Sequence, residues 1–260
     1  MEWSHLVGLW GGGARRHARC TQYQRVIPLL ISLVIALTSA LLPVIAGSAG
    51  NVLAKCDPTP PTSSDPTGPD GAFDGWQVNY NQVGGVYANI YNYSPWVQSG
   101  SVVAAWVMLA NGSHYAQIGW LEDPGGLRYT FYQINPTAGP LIENLTLAPF
   151  PIGSSPQYKV LYNNPTGDYG FYVNNSLYIA FSNSTVGFVP NVAENYGEVH
   201  NWKDQMPGSK STNEVFSGAH VYSGGWLNFG GTGHNDEGSW WGNYYPTTTQ
   251  EFIWDKRCSS

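Results

Sequence analysis

Two apolar runs, 101–109 (SVVAAWVML) and 113–121 (SHYAQIGWL), flank the dipeptide Asn111-Gly112, and this arrangement constrains the fold more than any other stretch. Asn-Gly accepts φ > 0 at both central positions of a type I′ turn, whose twist matches that of two paired strands. A hairpin is expected here. Pro124-Gly125-Gly126 then turns the chain into a third run, 128–134 (RYTFYQI), and similar short runs come later at 157–162, 169–173, 176–181, 214–222 and 226–229. No stretch keeps helical apolar spacing over three turns. Eight or more strands in about 185 residues predict an all-β domain, a two-sheet antiparallel β-sandwich of jelly-roll-like form.

The first fifty residues have a different composition. Arg15, Arg16, Arg19 and Arg25 stand before an apolar run at 26–46, and Gly47, Ser48 and Ala49 succeed it. Charged, apolar, then small is the order of a secretory signal, so residues 1–49 read as a signal peptide. At about 20 residues the run is also long enough for a signal anchor, with the arginines on the cytoplasmic side. Both readings export the rest of the chain, making the domain secreted or extracellular, with membrane contact only if the leader stays uncleaved. Residues 50–71 contain DPTPPTSSDPTGPDG, too poor in apolar side chains to pack, and form a flexible Pro-rich linker. The β-sandwich occupies 72–260.

Four of the eleven basic residues are the leader arginines, and Glu2 is the one acid there, so seven basic residues face sixteen acidic ones from Gly50 onward. Nucleic acid is therefore not an expected partner. A surface so poor in Lys and Arg relies on uncharged polar groups, which suits an acidic medium. Of the three cysteines, Cys20 lies in the leader, leaving Cys56 and Cys258 at the two ends of the exported part. In an oxidising compartment this even pair predicts one disulfide that ties the ends together.

Gln117 is the anomaly of the second run. It lies between Ala116 and Ile118, where an amide without partners costs roughly 1–3 kcal/mol to bury. A second unusual segment, 193–201 (AENYGEVHN), carries Glu194, Tyr196, Glu198 and His200 at even spacing, on one face if extended. The opposite parity, Asn195, Gly197, Val199 and Asn201, makes a poor core face, so the segment reads as a cleft floor or loop in preference to an ordinary packed strand.

Together, AWV at 105–107 with AQIGW at 116–120, the Glu-x-x-x-Glu of AENYGEVHN, and QMPG at 205–208 resemble the glutamic peptidases, the eqolisin and neprosin-like β-sandwich family. The resemblance spans roughly the middle half of the domain. It implies an acid-acting endopeptidase with a polypeptide substrate, no cofactor and no metal. Gln117 would be the oxyanion donor and Glu198 the general base, with Glu194, four residues earlier on the same face, left open as the matching glutamate. Trp106, Tyr115, Tyr196 and His200 would bind substrate. Neprosin-like members have Glu where Gln117 stands, so this pair is of the eqolisin type in a chain otherwise closer to neprosin.

Other arrangements carry less. His200 with Asp204, and HNDE at 234–237, hold metal-ligand types without zinc spacing, and Ca2+ at Asn235, Asp236 and Glu237 is a weak fit. Eleven Trp and seventeen Tyr support a rival, a secreted carbohydrate-binding or adhesive module using exposed Trp96, Trp226, Trp240 and Trp241 to stack on polysaccharide. Sequons begin at Asn92, Asn111, Asn144, Asn174 and Asn183, the expected places for surface glycans. Secreted protein is predicted to begin after about Ala49 and to carry the Cys56–Cys258 bond. N-terminal sequencing with non-reducing peptide mapping checks both, and two free thiols would refute the pairing.

Overall fold

A computed structural model describes residues 72–148, 150–163, 166–208, 215–235 and 240–258, with the side chains of residues 234 and 235 excepted. The leader, the linker and Cys56 lie outside the described residues, as do the side chains of the HNDE segment.

The strands are β1 (Ala72–Asn79), β2 (Gly85–Ile90), β3 (Val103–Asn111), β4 (His114–Glu122), β5 (Arg128–Asn135), β6 (Ile142–Leu147), β7 (Gln157–Asn163), β8 (Asp168–Val173), β9 (Ser176–Phe181), β10 (Val192–Val199), β11 (Phe216–Tyr222), β12 (Trp226–Asn228), β13 (Thr232–Asn235), β14 (Trp241–Thr247) and β15 (Gln250–Asp255). Helix among the described residues amounts to one turn, Asn183–Val186. Sheet A runs β13-β1-β10-β3-β4-β5-β6, and sheet B runs β14-β15-β11-β2-β7-β8-β9 with β12 on β11. All the ladders are antiparallel.

The expected β-sandwich is what forms. Alternate residues of the two sheets meet in one core, with Val103, Ala105, Val107, Ile118 and Trp120 from sheet A against Val86, Ala88, Tyr158, Val160 and Phe171 from sheet B. The Asn111-Gly112 hairpin joins β3 to β4 in the expected register, Asn111 opposite His114, with Gly112 at φ 61°. Strands β3, β4 and β5 are buried on both faces because a second apolar cluster, including Phe73, Trp106, Met108, Leu121 and Tyr196, covers the outer face of sheet A. Double burial explains why their sequences read as nearly continuous apolar runs.

Several expectations need correction. Most of segment 193–201 is not loop but packed strand: residues 193–199 belong to β10, which lies inside sheet A between β1 and β3, and Asn195 is fully buried on its inner face. Gly197 there leaves room for the QMPG segment, since a Cβ would sit 3.1 Å from both Met206 Sδ and Pro207 Cγ. Trp240 and Trp241 are buried, not exposed, because the Arg257 guanidinium lies 5.1 and 4.4 Å from their ring centres while pairing with Asp255. Asn92 is no surface sequon: its side chain is buried and donates to Pro151 O and Ser154 Oγ.

At one end of the interior, neither carboxylate oxygen of the fully buried Glu251 has a hydrogen-bond partner among the described residues. Burial first, and the nearby negative charge of Asp74 second, hold its carboxyl well above the usual range. Asp204 is pushed up to about 6 by burial, although Ser101 Oγ–H and the backbone N–H groups of Gln98 and Asn201 pull the other way. A carboxyl whose value is raised by folding contributes stability fully present below its unfolded value and lost as pH climbs through the folded one. Tm is therefore expected to fall by several degrees from pH 4 to pH 7. In scanning calorimetry, Glu251→Gln should flatten that slope, and an unchanged slope would remove Glu251 as its source.

Candidate active site

The outer face of sheet A is ordered in rows that cross the strands. Register places Gln77, Glu194, Met108, Gln117, Gln133 and Glu143 opposite one another in turn, from β1 through β10, β3, β4 and β5 to β6. The next row holds Gly75, Tyr196, Trp106, Gly119 and Phe131, and the one after it Phe73, Glu198, Ala104, Leu121 and Tyr129. Rows on one face are two residues apart, about 6.8 Å along a strand.

Gln117 thus shares a row with Glu194, with Met108 between them. Glu198 lies two rows away. The expected convergence of Gln117 on Glu198 is not what the register gives, because Gln117 faces Met108 whereas Glu198 faces Ala104, four residues along β3. The reason is positional: parity puts both glutamates on the right face, but the β10–β3 pairing alone decides which one falls in line.

The amide is not an orphan. Gln117 Nε2 donates to Gln133 Oε1 at 3.2 Å, the same oxygen accepts the Tyr115 hydroxyl at 2.7 Å, and Gln133 Nε2 donates to Glu143 Oε2 at 3.1 Å. This chain fixes the plane of the Gln117 amide. One of its N–H groups is spent on Gln133, and the other is directed elsewhere. Gln133, Met108 and Glu143 were missed by sequence reasoning, although Gln133 poses the same puzzle as Gln117, an amide in the apolar run RYTFYQI.

Glu198 has other partners. Its Oε2 accepts from Trp106 Nε1 at 2.6 Å, and its Oε1 lies 2.9 Å from His200 Nε2, all three side chains being buried. Trp106 is further held by Tyr196 (ring centres 5.3 Å apart, tilted) and by Phe73 edge-on at 6.2 Å. Of the expected substrate-contacting residues, Trp106, Tyr196 and His200 belong to this cluster, while Tyr115 belongs to the Gln117 chain. Asp204 locks the adjoining loops by accepting from Gln98 N, Ser101 Oγ and Asn201 N. No group of three or more metal-ligating side chains occurs among the described residues.

The glycine two places after Gln117 also has a physical reason. A Cβ on Gly119 would sit 2.0 Å from Ala105 O and 2.7 Å from Trp106 Cα, so only glycine lets β3 and β4 close up beside the Trp106 row.

No protein-family model matches the sequence, and no curated protein matches it. Solved structures do match in shape. Scytalido-glutamic peptidase with a peptide-based transition state analog aligns at TM-score 0.52 and 15% identity over 71% of this chain and 98% of that one. A structure of scytalido-glutamic peptidase with a transition state analog inhibitor gives 0.53 at 15% identity over the same shares. SCP-B, a member of the eqolisin family in complex with the tripeptide Ala-Ile-His, gives 0.49 at 15%, again over 71% and 98%. The chain has a glutamic-peptidase-like β-sandwich, and at this identity the likeness is one of fold.

Gly119→Ala is expected to lower Tm by several degrees, since a side chain forced into a packed strand pair costs about 1–3 kcal/mol. Thermal denaturation checks this, and an unchanged Tm would mean that the strands separate freely.

Proposed function

We propose that this domain is a glutamic endopeptidase in which Glu194 is the general base and Gln117 the oxyanion donor. The observation that carries the reading is their shared row across Met108, which sets their backbones two strands apart, about 10 Å. Two long side chains reaching over Met108 from either side would bracket a water and a peptide carbonyl between them. Ionised Glu194 takes a proton from that water as its oxygen bonds to the carbonyl carbon. The Gln117 N–H that is not given to Gln133 donates to the developing oxyanion, a contribution whose loss costs about 2.7–4 kcal/mol in other enzymes. As the C–N bond breaks, Glu194 passes its proton to the leaving nitrogen. No further proton is needed.

Glu198 then becomes a positioning residue, holding Trp106 through its indole N–H and meeting His200. This changes the choice between the two glutamates that the sequence left open. A glycosidase built on Glu194 and Glu198 fits less well, because four residues on one strand set their backbones about 13 Å apart and point the side chains in parallel. Secretion and work in an acidic medium are part of this proposal and rest on the leader-like sequence and the scarcity of Lys and Arg.

The test is cleavage of a denatured protein by the purified domain between pH 3 and 7. Glu194→Gln should lower kcat/KM by about a thousandfold and Gln117→Ala by about a hundredfold to a thousandfold, each with the fold intact, and the double change should add little. Glu198→Gln keeps an acceptor for Trp106 and should cost tenfold or less. A fully active Glu194→Gln, or an inactive Glu198→Gln of native stability, would reverse the assignment.

A further inference from the structure

The outer face of sheet B holds a second site, unrelated to the row of Gln117 and Glu194. Here too register makes a row, Trp226, Tyr222, Gly85, Leu161, Gly170 and Ala180, from β12 through β11, β2, β7 and β8 to β9. Its middle members are small or slender, and a groove of about 1060 Å3 runs along them. The neighbouring row is filled, by His220, Tyr87, Lys159 and Tyr172, but only Tyr172 reaches the groove on this side, while the Lys159 ammonium donates to Asn175 Oδ1 at 2.6 Å. The other side is walled by the 80–84 loop together with Asn163 and Asp168.

The aromatic side chains of this groove are braced from behind and open in front. A Cβ on Gly84 would sit 2.6 Å from Tyr222 Cδ1, and one on Gly85 3.2 Å from Trp226 Cη2, so both rings rest on bare glycine backbone. Tyr87 and Tyr222 meet Trp226 edge-on at 4.8 and 5.4 Å, and His220 stacks on Tyr87 at 4.9 Å. Despite this bracing Trp226 remains 42% and Tyr222 38% exposed. Large rings held rigid yet left in solvent are costly unless something covers them, and rigidity lowers the entropic cost of that covering.

The chemistry of the lining identifies the occupant. Among the described residues no Lys or Arg lines the groove, which disfavours phosphates, acidic peptides and uronates. Beside the rings stand uncharged hydrogen-bonding side chains, Asn81, Gln82, Asn163 and Ser223, and one carboxylate, Asp168. Aromatic faces match the C–H faces of pyranose rings, and amides and a carboxylate match vicinal hydroxyls. We infer that this groove binds a neutral polysaccharide chain, with Trp226 and Tyr222 as stacking platforms, on the sheet opposite to the one that carries the proposed peptidase site.

Affinity electrophoresis of the secreted protein in gels containing a soluble β-glucan, a xylan or a mannan tests this. At least one of the three should retard the wild type. Trp226→Ala should weaken that association about tenfold or more and Tyr222→Ala severalfold, each with Tm preserved and protein cleavage unchanged. Gln117→Ala should be retarded like the wild type, which separates this site from the proposed catalytic one. Retardation by none of the three, retardation indifferent to both substitutions, or equally strong retardation by polygalacturonate would overturn the inference. So would quenching of Trp226 fluorescence by an apolar peptide that none of the three polysaccharides displaces.

Discussion

One antiparallel register, β10 against β3 with Glu194 opposite Met108, governs the outer face of sheet A. Because side chains alternate, a slip of one residue would send Glu194, Tyr196 and Glu198 into the sandwich interior and bring Asn195 out. The structure holds this register from several directions. Gly75 presses against β10 so closely that a Cβ would lie 2.0 Å from Asn195 O, and Gly119 does the same to Ala105 O on the far side of β3. The Trp106–Glu198 hydrogen bond joins the strands within the face. Beyond the end of β10, QMPG is pinned by the paired bonds of Gln205 and Trp96, with Trp96 N donating to Gln205 Oε1 and Gln205 N to Trp96 O.

A polar row inside an apolar cover is stable only if its members satisfy one another. The relay from Gln117 through Gln133 to Glu143 Oε2 goes far to meet that requirement on one side of Met108, and Tyr115 supports it, with Glu143 Oε1 left without a partner among the described residues. Met108 itself offers neither a charge nor a strong donor, so it separates amide from carboxylate without competing for either. A low local dielectric strengthens whatever hydrogen bond forms over it. The Trp106, Tyr196 and Phe73 rings exclude water from the adjoining rows, so the same packing that buries the outer face also sharpens its electrostatics.

Much of this was legible in the sequence, and the remainder was hidden for definite reasons. Asn111-Gly112 announced the β3–β4 hairpin because its turn chemistry is local. Gln117 stood out because an amide in an apolar run needs a partner, and even spacing put Glu194 and Glu198 on one face. The proposed choice between them rests on the pairing of β10 with β3, strands separated by some eighty residues of chain, and spacing within one strand carries no information on that. Strand β1 was hidden because Asp74 and Gly75 break its apolar pattern, yet both serve the fold, Asp74 by accepting from Asn243 Nδ2 and Gly75 by its closeness to β10. Trp240 and Trp241 read as exposed until Arg257, sixteen residues beyond Trp241, folds back over them.

The same economy of charge runs through the interior and the proposed site. Glu251 and Asp204 hold protons more tightly folded than unfolded, so the packing that raises their values favours acid. The proposed dyad asks for little ionisation in such a medium. A pair of carboxylates across Met108 would repel when both are charged and would need one proton held and one lost, whereas an amide never titrates. In a Glu–Gln pair only Glu194 must be ionised, so the acid limit of activity would track one group. Substituting the uncharged amide for a second carboxylate thus keeps out of the row the like-charge repulsion that Asp74, second to burial, exerts on Glu251.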